Sequence, residues 1–165
     1  MRHSTFALVA ALVAALSTGL SAGLACAGTA EVKFIDPAKY SDGGSRLGEA
    51  ESVRNTLVAH LQSLAAKLPA DQSVSIDILD IDLAGSDRFT RHGNEVRVLR
   101  GRADWPSIRL RYSLRQGDKL LASGEETVSD MVYLDTQIGL SNNASLPYER
   151  RMLTRWFNER MTPAH

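Results

Sequence analysis

A single cysteine, Cys26, stands among the 165 residues. It lies at the end of an N-terminal apolar stretch that reads as an export signal, so the processed chain is expected to have no disulfide, no thiol nucleophile and no Cys-ligated metal. Sequence signatures of common chemistry are missing too. There is no G-x-G-x-x-G, no phosphate-cradling glycine loop and no H-E-x-x-H. The one G-x-S-x-G, Gly19-Leu20-Ser21-Ala22-Gly23, falls inside the same stretch and would be removed before the protein works. His60 and His92 have no second potential ligand at metal-site spacing, so neither a metal nor another cofactor is expected. An excess of either charge is also lacking, with 19 Lys and Arg against 19 Asp and Glu. That balance argues against a dedicated nucleic-acid binder.

What the N-terminus does contain is Arg2 and His3 followed by an Ala-, Leu- and Val-rich run from Phe6 to Leu24 without a carboxylate. This order is that of a secretory signal, and Ala25-Cys26-Ala27 is the small-x-small pattern for cleavage after Ala27. Small residues interrupt the run at Ser17-Thr18-Gly19 and Ser21-Ala22-Gly23, and no basic stop-transfer cluster follows, so no stable membrane insertion is expected after cleavage. A lipoprotein reading through Cys26 would want a large aliphatic residue where Gly23 stands. The expectation is therefore a signal over 1–27 and a single periplasmic domain over 28–165, large enough for its own core. Arg2 leaves with the signal, giving 18 basic against 19 acidic residues in the remainder.

The remainder is rich in periodic patterns. Glu31 to Ile35 alternates as a strand and stops at Asp36-Pro37. From Glu49 to Leu68 the apolar residues Ala50, Val53, Leu57, Leu61, Leu64 and Leu68 recur in steps of three and four, which predicts a helix ended by Pro69. Ser73 to Leu83 predicts a strand whose alternation changes phase at Leu79, the mark of a bulge near Ile78 and Leu79. Gly85 to Gly93 reads as a polar loop, and Glu95 to Leu99 as a short strand. Ile108, Leu110, Tyr112 and Leu114 alternate with polar residues, and Gly117-Asp118 turns the chain into a hairpin partner over Lys119 to Val128. Pro147 opens a second helix with Tyr148, Met152, Leu153, Trp156 and Phe157 on one face. The expected fold is α+β, an antiparallel or mixed sheet of four to five strands with both helices on one side.

Two clusters could carry function. Asp80 and Asp82 share a strand face beside Asp77 and Asp87, where paired carboxylates could raise one pKa or hold a hard cation. The D-x-[DN]-x-[DN]-G loop is absent, and such acids also simply face water or cap a neighbouring backbone. Between Asp87 and Arg115 eight arginines stand against three acids, a local charge of +5. Arginine grips carboxylate and phosphate with two parallel hydrogen bonds, so Arg97, Arg109, Arg111 and Arg115 form the candidate site for an anionic ligand. Their structural alternative is pairing with Glu125 or Glu126, with Arg109 expected opposite one of them. The apolar connection from Met131 to Leu140 is a third candidate, a docking segment for a protein partner.

Several segments together resemble the bacterial domain-of-unknown-function family 3016. They are Val32 to Pro37 with Tyr40-Ser41-Asp42, Asp80 to Gly85, Trp105 to Tyr112, Gly124-Glu125-Glu126 with Ser129-Asp130-Met131, Tyr148-Glu149, and Trp156-Phe157. The resemblance spans the chain after the signal and implies a small exported protein of Gram-negative bacteria. It carries no activity, hence no catalytic residue, and it adds Asp130 to the acidic candidates Asp80 and Asp82. The function expected is a non-catalytic binding or assembly module for an envelope component or protein partner. The alternative is an envelope hydrolase using the Asp pair, metal-assisted or not.

Overall fold

The computed structural model describes residues 27–44, 47–135 and 145–161. Residues 1–26 of the expected export signal, Cys26 among them, and the 136–140 part of the apolar connection lie outside the described residues.

Period-two alternation builds the centre of the molecule. Strands β1 (Thr29–Phe34), β2 (Gln72–Asp82), β5 (Ser107–Gln116) and β6 (Lys119–Ser129) form one sheet in the order β1-β2-β5-β6. β1 runs parallel to β2, and the other pairings are antiparallel. A parallel pair cannot be closed by a tight turn, and α1 (Leu47–Ala65) supplies the crossover. The phase change at Leu79 is a bulge: Ile78 pairs with Leu110 and Asp80 with Arg109, leaving Leu79 unpaired. Without that extra residue, Ile81 would leave the face that holds Ile76 and Ile78.

That face is the core. Ile76, Ile78, Ile81, Ile108 and Leu110 are fully buried there. They pack with Leu57 and Leu61 of α1 and with Met152, Leu153 and Phe157 of α2 (Pro147–Met161) in one cluster. Each such side chain stabilises the fold by roughly 1.5–3 kcal/mol relative to exposure. Trp156 stands edge-on to Tyr112 of β5, with ring centroids 5.5 Å apart. The architecture is thus α+β, with both helices on one side of a four-stranded mixed sheet.

One expected loop is a strand. Ser86–Phe89 forms β3 and pairs antiparallel with β4 (Glu95–Val98) as a separate two-stranded ribbon. Ser86-Asp87-Arg88-Phe89 holds one apolar residue and so shows no alternation. Its pairing is imposed by the turn between, where the Thr90 N–H donates to the Asn94 carbonyl at 2.7 Å and Gly93 takes φ 77°. Among the described residues no helix is long and apolar enough to cross a membrane.

Candidate functional site

Because both helices occupy one side, the second face of the four-stranded sheet has no covering layer among the described residues. Polar residues populate it by the same alternation that builds the core. Across the strands the register aligns Lys33, Asp77, Arg111 and Glu125 in one row, and Glu31, Ser75, Ser113 and Ser123 in the next. Glu125 is the centre of charge: Arg111 Nη2 lies 3.0 Å and Arg109 Nη1 3.8 Å from its carboxylate, and Arg111 Nη1 is 3.8 Å from Asp77. The side chains of Arg109 and Arg111 remain 54% and 57% exposed.

Two shallow depressions meet along this row. One, about 350 Å³, is lined by Ser75, Asp77, Ser113 and Ser123, and the other, about 380 Å³, by Ile35, Lys39, Leu79 and Asp80. Arg111 and Glu125 belong to both, so the two depressions adjoin at that ion pair and together make a trough across the strands.

The register corrects the expected pairing. Arg111 stands opposite Glu125, Arg109 stands opposite Thr127, and the Arg109 to Glu125 contact is diagonal. Glu126 points to the helix side, where Arg160 of α2 grips it with Nε and Nη2 at 2.9 and 3.0 Å. The turn sets this parity, because Arg115 pairs with Leu120 and Leu114 with Ala122, leaving Leu121 as an extra residue.

Of the four candidate arginines, the sheet brings Arg109 and Arg111 together. Arg115 lies four positions beyond Arg111 on β5 and donates to the Asp118 carbonyl at 3.1 Å. Arg97 is elsewhere, on β4. Its guanidinium donates to Asp42 at 2.9 Å and to the carbonyls of Ala84 and Gly85, and it lies 3.3 Å from Asp87. It therefore clasps the two-stranded ribbon to the end of β2.

The acidic candidates also separate. Asp80 spends both carboxylate oxygens on Ser41, accepting from its N–H at 2.8 Å and its hydroxyl at 2.9 Å. Asp82 pairs in parallel with Asp42. Partial burial, with Asp42 and Asp80 nearby, raises its carboxyl above the usual range. Asp130 is buried and paired with Arg151 of α2 at 2.9 Å, and no hydrogen bond or ion pair joins it to Asp80 or Asp82 among the described residues. Among those residues, no group of three or more His, Cys, Asp or Glu converges to hold a metal.

Sequence reasoning missed Asp42 and Glu149. Glu149 is only 2% exposed and accepts the Ala84 N–H at 2.9 Å. Burial pushes its carboxyl up, against the pull of that N–H and of Arg97. Both residues stand in segments that carry the family resemblance, Tyr40-Ser41-Asp42 and Tyr148-Glu149, which was the available signal. Their role is to join elements: Asp42 receives Arg97, and Glu149 ties α2 to the end of β2. Tyr40 acts likewise, its hydroxyl donating to the Ile78 carbonyl at 2.9 Å, with burial holding its phenol up to about 12.

Residues 28–159 match the model of the family described as "Protein of unknown function (DUF3016)". The chain belongs to that family. No curated protein matches it.

Proposed function

We propose that this member of the family is an exported, non-catalytic binding module of the bacterial cell envelope, released into the periplasm as residues 28–165 after removal of 1–27. Its ligand is a carboxylate-bearing cell-wall fragment, held on the uncovered face of the sheet. The observation that carries this reading is the trough in which Arg109 and Arg111 share Glu125 while more than half exposed. Exposed ion pairs contribute only about 0–1 kcal/mol, so a ligand carboxylate can take over either guanidinium at little cost and gain bidentate hydrogen bonds. The hydroxyls of Ser75, Ser113 and Ser123 line the same depression and suit a glycan or peptide. Asp77 and Glu125 can meet an amino group, and cell-wall peptides carry amino and carboxyl groups together.

A hydrolytic site would need Asp80 and Asp82 free to exchange protons with a substrate. The engagement of both Asp80 oxygens by Ser41 favours a structural bracket instead.

The test is co-sedimentation of the protein with purified cell-wall sacculi. An Arg109→Ala/Arg111→Ala variant should keep its melting temperature and bind at least tenfold more weakly, since charge-assisted hydrogen bonds contribute about 1.5–3 kcal/mol each. Wild-type binding by that variant would defeat the proposal.

A further inference from the structure

Two sets of arginines differ in their partners. Arg97, Arg109, Arg111, Arg151 and Arg160 each meet a carboxylate within the fold. Arg88, Arg91, Arg100 and Arg102 are exposed, and among the described residues none of their guanidinium groups has an ion pair or hydrogen bond. All four of the second set lie on the β3-β4 ribbon, its turn and the segment that leaves it. From Asp87 to Asp104 five arginines stand against three acids. Asp87 is committed to Arg97, and Asp104 accepts the Tyr133 hydroxyl.

Apolar side chains are exposed on the same ribbon. Phe89 is 76% exposed, Val96 44%, Val98 37% and Leu99 36%. None of the ribbon's residues belongs to the core cluster, so these side chains lie outside the core. The apolar strip continues onto the adjoining turn, because a Cβ on Gly101 would meet Leu134 Cδ1 at 3.5 Å, and Leu134 and Met131 are exposed too. Single exposed apolar residues are ordinary. Here they are neighbours, interleaved with unpaired cations.

Their placement selects the partner. Directly opposed residues share a face of an antiparallel pair, so Val96 and Val98 lie with Arg88 and Ser86 on one face. Phe89 lies on the other, with Asp87 and Arg97. A flat protein surface can cover only one side of such a ribbon. The Asp87 and Arg97 end of the second face is held against the end of β2 while Phe89 at the turn end is exposed, so a fluid lipid interface can take the open face and the turn together, apolar side chains at headgroup depth while arginines meet phosphates.

We propose that the β3-β4 ribbon is a peripheral membrane contact for bilayers of anionic phospholipid, with Arg88, Arg91, Arg100 and Arg102 on lipid phosphates and Phe89 at the interface. This surface is distinct from the sheet trough and does not depend on it. Export decides only which membrane face it meets.

The test uses the full chain expressed with its own N-terminus and recovered from the exported fraction, sedimented with vesicles rich in phosphatidylglycerol or made of phosphatidylcholine alone. Preferential binding to phosphatidylglycerol that fades with salt is expected. Each arginine near such a surface contributes about fivefold, so Arg88→Ser/Arg91→Ser should bind about 25-fold more weakly, and Phe89→Ser should also lose affinity. Arg100→Ser/Arg102→Ser repeats the test outside the paired strands should the first pair disturb folding. Arg109→Ala/Arg111→Ala should bind these vesicles like the wild type. Equal binding to both vesicle types, no binding, or wild-type binding by both arginine-pair variants would overturn the proposal.

Discussion

Gly28 begins the described fold under tight constraint. Its N–H donates to the Leu68 carbonyl at 3.2 Å, and a Cβ built on it would lie 2.7 Å from Leu68 Cβ and 2.8 Å from the Ala65 carbonyl oxygen. Gly28→Ala therefore has to displace β1 from the end of α1. Overpacking of this kind costs about 1–3 kcal/mol, and thermal unfolding should show a drop in melting temperature of several degrees for a domain of this size. An unchanged melting temperature would mean that the strand start is free to shift. At this scale the sequence was least legible. Asp80, Asp82 and Asp130 could be picked out by type and by resemblance, but the carboxylates of Asp80 and Asp130 went to different partners, Ser41 and Arg151. Spacing along a strand states which face a side chain takes. It does not state that Ser41, nearly forty residues away, will occupy both oxygens of Asp80, because that depends on how the chain after β1 returns to the end of β2.

Between elements, the α1 to α2 contact carries a titratable group. His60 Nε2 lies 2.8 Å from the Arg150 carbonyl and 2.9 Å from the Thr154 hydroxyl, and Nδ1 receives the Arg150 Nε–H at 3.4 Å. That set fits a neutral ring protonated on Nε2. Burial lowers the His60 pKa below its ordinary 6.5, opposed by the Arg150 carbonyl and assisted by the charges of Arg150 and Lys67. With the folded pKa below the unfolded one, the unfolded chain binds more protons in the window just below pH 6.5. Stability is full above 6.5 and falls as the pH drops through that window. His60→Gln keeps a donor without a titrating ring, and its denaturation midpoints between pH 7 and 5 should fall less than the wild type's; parallel curves would assign the acid sensitivity to other groups. Elements were the best-read level. The three- and four-residue steps of α1, the bulge at Leu79 and the hairpin of β5 and β6 all follow from periodicity, since core burial enforces it. The β3 strand escaped because it buries nothing in the core, so no apolar period marks it.

For the molecule as a whole, layer order decides which sheet face stays open. Two helices against one face of a four-stranded sheet leave the other face open, and that much follows from counting the apolar faces each element presents. Which arginines meet there did not follow. Arg97 and Arg109 are both strand residues in one basic stretch, yet the separate β3-β4 ribbon takes Arg97 to a clasp on Asp42 and leaves Arg109 in the trough. The central claim, that the open face is the binding surface, is tested most directly by titrating a soluble cell-wall peptide into isotopically labelled protein and following backbone amide shifts. The account predicts perturbations gathered on Lys33, Asp77, Arg111, Ser113 and Glu125, abolished in Arg109→Ala/Arg111→Ala. Perturbations confined to α2 or to the β3-β4 ribbon, or none at saturating peptide, would contradict it.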